Sequence, residues 1–100
     1  MRSLLLIALF AITGMTSNVR GQEPLNVLLI TGGCCHDYDY QTKTIQAAFA
    51  ERQVPVKWTV INEGGKGTQA EIALYDNPEW SAGFDVVIHN ECFANTASEA

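Results

Sequence analysis

Asn26-Val27-Leu28-Leu29-Ile30-Thr31 is apolar at every central position and is bounded by Gly32-Gly33. Continuous rather than alternating hydrophobicity is the pattern of a strand covered on both faces, as in a parallel sheet flanked by helices. The run is too short and too β-branched at its end for a buried helix. Two further segments share its character. Val54 to Ile61 is rich in β-branched and aromatic residues, with Lys57 and Thr59 alternating against Val56, Trp58 and Val60, as at a sheet edge. Phe84 to His89 is apolar in its centre, and Asn90-Glu91-Cys92-Phe93 follows at its end.

Between the first two strands, Gln41 to Arg52 sets Ile45, Ala48 and Phe49 at helical spacing against Lys43, Gln46 and Glu51, with Asp39 as a candidate N-cap. Between the second and third, Glu71 to Tyr75 and Pro78 to Ser81 read as short helical turns, punctuated by Asn77-Pro78 and Gly83. Parallel neighbours need crossovers, so this order predicts an α/β fold with a doubly wound parallel sheet of the flavodoxin-like kind, strand order 2-1-3. Three strands apolar on both faces leave one face uncovered. Residues 22–100 are therefore expected to form the N-terminal, incomplete part of a larger domain.

The chain start has a different character. Met1-Arg2-Ser3, an apolar run from Leu4 to Ile12, and a small, polar exit to Gly21 have the three parts of a secretory signal peptide. The run is far short of the roughly 18–20 residues that a spanning helix needs. Residues 1–21 are read as the signal, placing the mature chain in the periplasm or outside the cell. Its removal leaves 79 residues and takes Arg2 and Arg20 with it, so the net charge moves from −5 to −7. With only Lys43, Arg52, Lys57 and Lys66 left, there is no basic patch for nucleic acid or for an anionic membrane surface.

In a 2-1-3 sheet the direction of winding reverses between strands one and three, and ligands bind outside the strand ends at that point. The two loops there are Gly32 to Tyr38 and Asn90 to Phe93. Gly32-Gly33 either permits a tight turn or lets a ligand approach the backbone; the spacing is neither a dinucleotide fingerprint nor a phosphate loop. His36 is a candidate acid, base or first metal ligand, or a hydrogen-bonded loop residue. Asp37 caps the following helix or acts as a base. Tyr38 and Tyr40 line a pocket or cover the helix start. Glu91, at the mouth of the crevice, is the second candidate acid–base group, against the reading of an exposed loop acid. Glu63 reads as a solvated loop acid. Cys34, Cys35 and Cys92 leave several states open: three free thiols with His36 or His89 as a base, or a disulfide from Cys92 to Cys34 or Cys35. No metal-ligand spacing occurs, and the cofactor is unknown.

Taken in order, Val27 to Tyr38, Trp58-Thr59-Val60, Glu63-Gly64-Gly65 and Asp85 to Phe93 resemble the ThuA-like (trehalose-utilisation) family, in particular its exported bacterial members of the planctomycete type. The resemblance implies a domain related in fold to class I glutamine amidotransferases and a role in disaccharide or keto-sugar metabolism. No Gly-x-Cys-x-Gly elbow occurs, so no cysteine here inherits the amidotransferase role. The expected function is an exported carbohydrate-active isomerase or hydrolase using His36 and Glu91, with Gly32, Gly33, Asp37, Tyr38 and Asn90 holding a small carbohydrate. A non-catalytic sugar-binding or structural module and a thiol protein built on Cys34-Cys35 are the alternatives. Mass spectrometry of the protein from its native host is expected to find a mature N-terminus at Gln22; an intact Met1 form would contradict the signal assignment.

Overall fold

The computed structural model describes residues 21–96, so the expected signal peptide lies outside the described residues apart from Gly21. The elements are β1 (Leu25–Gly33), α1 (Tyr38–Glu51), β2 (Val56–Asn62), a 3-10 turn (Ala73–Asp76) and β3 (Val86–Cys92). The three strands form one parallel sheet in the order β2-β1-β3. The chain is thus α/β, with its first strand in the middle.

The central strand carries the core. Val27, Leu28, Leu29, Ile30 and Thr31 are each no more than 1% exposed. Full burial of the four aliphatic side chains, Val27 to Ile30, contributes about 1.5–3 kcal/mol apiece. β2 and β3 flank it and are wetter: Lys57 is exposed, Val60 is 40% exposed and Val86 37%. The expectation of three strands covered on both faces therefore holds for β1 alone.

Register and pleat assign the faces. Val27, Leu29 and Thr31 share one face with their partners Trp58, Val60 and Asn62 on β2 and Val86, Ile88 and Asn90 on β3. α1 packs on this face, where Phe49 meets Trp58 edge-on at 5.2 Å and Gln41 accepts from Asn90 Nδ2 at 3.0 Å. The other face carries Thr59, Ile61, His89 and Glu91, and there Tyr75 and Trp80 pack against His89.

Four boundaries differ from the sequence reading. α1 begins at Tyr38, not Gln41, because Asp37 rather than Asp39 is the N-cap: its carboxylate accepts from Tyr40 N–H at 2.9 Å. The apolar periodicity that marked the helix starts only after its first turn. β1 runs through Gly32-Gly33, and β3 runs through Asn90-Glu91-Cys92, because these ends pair with each other: Gly32 opposite Glu91, Gly33 opposite Cys92. β2 starts at Val56.

Gly33 is the tightest point of that pairing. Its φ is +108°, and a Cβ placed there would fall on the Cys92 carbonyl oxygen. Gly65, at φ +73°, has open space where a Cβ would stand. Gly33→Ala is expected to cost about 3 kcal/mol or more, combining backbone strain with overpacking, and Gly65→Ala only about 1 kcal/mol. Urea unfolding of the two variants checks this; equal losses would contradict the pairing.

Candidate functional site

The loops at the carboxyl end of β1 are tied to its neighbours by backbone bonds. Gly33 N–H donates to Gly65 O at 3.2 Å, drawing in the loop after β2, and Cys34 N–H donates to Cys92 O at 3.2 Å. Tyr38, 7% exposed, turns its hydroxyl back to donate to Cys34 O at 3.0 Å. Between these loops lies a cleft of about 560 Å³. Gly32, Gly33, Cys35, His36, Asp37, Tyr38 and Asp39 line one side, and Asn62, Gly65 and Lys66 the other.

Of the sequence-predicted site residues, the cleft thus gathers Gly32, Gly33, His36, Asp37 and Tyr38. Gly32, at φ +127°, would set a Cβ 2.7 Å from Asn62 Oδ1. Asp37 serves as helix cap and cleft wall together. Tyr40, 67% exposed, is not among the lining residues. Asn62 and Lys66 were missed as site residues. The signal that could have found them is the glycine-rich stretch Gly64-Gly65-Lys66-Gly67 that follows Asn62 and Glu63.

Asn90 and Glu91 stand elsewhere. Asn90 ties β3 to α1 through Gln41. Glu91, its neighbour along a pleated strand, turns to the opposite face, and neither lines the cleft. The Glu91 carboxylate accepts from Tyr75 Oη at 2.7 Å and meets His89 Nδ1 at 2.8 Å, both through Oε1. Its Oε2 is buried with no hydrogen-bond partner among the described residues. The half-exposed His89 ring turns Nδ1 to this pair, 2.8 Å from the carboxylate and 3.2 Å from Tyr75 Oη. His89, read from sequence only as a base for a thiol, is therefore partnered by a carboxylate. Glu63 accepts from Leu74 N–H at 3.4 Å and holds the 3-10 turn.

Two phenols report the electrostatics. Burial, then the hydrogen bond to Glu91, then its negative charge push the Tyr75 pKa well above the usual tyrosine range. Burial, then charge on Cys92 and Glu91, raise that of Tyr38.

Cys34 and Cys35 form a disulfide between adjacent residues, and Cys92 is a half-buried free thiol. This differs from both states left open by the sequence, three free thiols or a bridge from Cys92 to Cys34 or Cys35. Cys35 sits at φ +82°, a conformation that costs a non-glycine residue about 1 kcal/mol or more. Among the described residues, no three His, Cys, Asp or Glu side chains group closely enough to hold a metal ion. No helix among them is long and apolar enough to cross a membrane.

The raised Tyr75 pKa fixes the sign of a pH effect. A group titrating higher when folded adds stability below its unfolded value, about 10, and loses it as pH rises toward the folded value. Tyr75→Phe is expected to cost about 1.5–3 kcal/mol at pH 7, where Glu91 loses a donor. Unfolding at pH 7 and pH 11 should show wild type losing more stability with pH than Tyr75→Phe. Parallel losses would contradict the Tyr75–Glu91 pairing.

Comparison with known proteins finds no matching family model, no curated relative and no similar solved structure.

Proposed function

We propose that the cleft binds a small carbohydrate, a disaccharide or keto-sugar, and that the chain is the N-terminal part of an exported ThuA-like domain with a flavodoxin-like sheet. The observation that carries the reading is the make-up of the cleft. It has the volume of a small-molecule site, and it surrounds a glycine floor with His36, Asp37, Asn62 and Lys66 beside the Tyr38 ring. A sugar presents hydroxyls that donate to carboxylate and amide oxygens and accept from ammonium, amide and imidazole N–H groups. These side chains offer both halves of that pairing.

The β2-β1-β3 order supports the same placement, because open α/β sheets bind ligands outside the carboxyl ends of their strands. Within this reading, His36 is the acid–base group presented to the sugar, and Gly32 and Gly33 form the cleft floor, packed closely against Asn62 and Cys92. Asn90 steadies α1 beneath the cleft. Glu91 stands on the far face, engaged with Tyr75 and His89.

A non-catalytic sugar-binding module is the second reading. It is favoured by the engagement of Glu91 with Tyr75 and His89, which leaves His36 without a carboxylate partner across the cleft.

Titration of the full chain with trehalose and with fructose, followed by NMR, tests the proposal. Resonances of His36, Asn62 and Lys66 are expected to shift, and His36→Ala and Lys66→Ala to weaken binding about tenfold each, the loss of one hydrogen bond. Turnover lost in Glu91→Gln with binding intact would favour the enzyme over the module. Shifts confined to residues outside the cleft would overturn the assignment.

A further inference from the structure

We propose that the Cys34–Cys35 disulfide is a redox switch for the cleft, whose reduction releases Cys35 and His36 and withdraws the imidazole from the cleft wall. The chemistry stands on the loop itself; only the consequence for ligand binding rests on the sugar-site reading above.

The loop is anchored at both ends and free between them. Cys34 is held through its N–H by Cys92 O and through its carbonyl by the Tyr38 hydroxyl. Asp37 is held as the helix cap, its carboxylate on Tyr40 N–H. Cys35 and His36 lie between, both exposed and both on the cleft wall. The disulfide closes a small ring through the 34–35 peptide, and within that ring Cys35 takes its left-handed φ of +82°. Opening the ring removes the covalent constraint on a conformation that non-glycine residues avoid. The backbone of Cys35 then rotates, and His36, the next residue, must move with it because Asp37 does not. The His36 ring at present stands edge-on to Tyr38 at 5.9 Å, so its departure uncovers that phenol side of the cleft.

The co-reactant is a dithiol reductant. Its first thiolate attacks Sγ of Cys35, the exposed partner, breaks the S–S bond and expels Cys34 as a thiolate, which takes up a proton. Its second thiolate attacks the reductant sulfur of the mixed disulfide and expels Cys35 as a thiolate, which is protonated in turn. The protein disulfide gains two electrons and two protons, and the reductant leaves as its own disulfide. A small-molecule disulfide oxidant resets the bond by the reverse exchange and leaves as its thiols.

The test uses the full chain carrying Cys92→Ser, so that only Cys34 and Cys35 can supply thiols, before and after treatment with dithiothreitol. Thiol titration is expected to count none before and two after. The His36 ring resonances are expected to shift on reduction and to return on reoxidation with oxidised glutathione, while those of His89, on the other face, stay in place. Cys34→Ser in the same background should show the reduced-state His36 resonances without any reductant. Trehalose or fructose affinity is expected to fall about tenfold on reduction. Two thiols in the air-oxidised folded protein, or His36 resonances identical in both redox states, would overturn the proposal. A reversible His36 shift with no sugar bound in either state upholds the switch and counts against the sugar reading alone.

Discussion

The structure depends on the burial of one strand between two parallel neighbours. Val27 to Ile30 lose nearly all contact with water, and their backbone groups are satisfied on both sides by β2 and β3. A buried backbone without such partners would cost several kcal/mol for each unpaired group, so the strand is stable only in the middle. Everything functional follows from where it ends. Its last residues, Gly32 and Gly33, deliver the Cys34–Tyr38 loop to the point where loops from both neighbours can reach it.

The pleat then sorts the polar side chains onto two faces. Asn62, Thr31 and Asn90 form a row across the α1 face, one from each strand. Glu91 and His89 look the other way, into Tyr75 and Trp80. The cleft and the Glu91 cluster are therefore separate environments on opposite faces of the sheet. In chemistry the two differ as well. The cleft is open and rich in hydrogen-bonding groups, while the Glu91 cluster holds a carboxylate oxygen with no partner among the described residues.

Much of the fold was legible in the sequence because it follows from patterning. The unbroken run at Val27 to Ile30 specified a strand buried on both sides, and alternating Lys57 and Thr59 marked β2 as an edge. The ends were less legible. Where β3 stops depends on whether β1 has a partner for Glu91 and Cys92, and that pairing is long-range. The site was legible as a pair of loops but not as a set of contacts. A one-residue step along β3 decides whether a side chain meets α1 or Tyr75, and the reading that joined His36 to Glu91 took both as loop residues free to converge. Asn62 was hidden at the end of an edge strand. The disulfide between Cys34 and Cys35 carried no pattern signal, because adjacent cysteines more commonly reach for a partner elsewhere, as the geometry of the bond favours.

The central claim is that β1 is the buried axis from which both faces and the cleft are organised. Amide hydrogen exchange across the full chain tests it most directly, since protection tracks the free energy needed to open each segment. The account predicts that the amides of Leu28, Leu29, Ile30 and Thr31 exchange slowest, with β2 and β3 opening earlier from their exposed sides. Faster exchange in β1 than in β2 or β3 would contradict it.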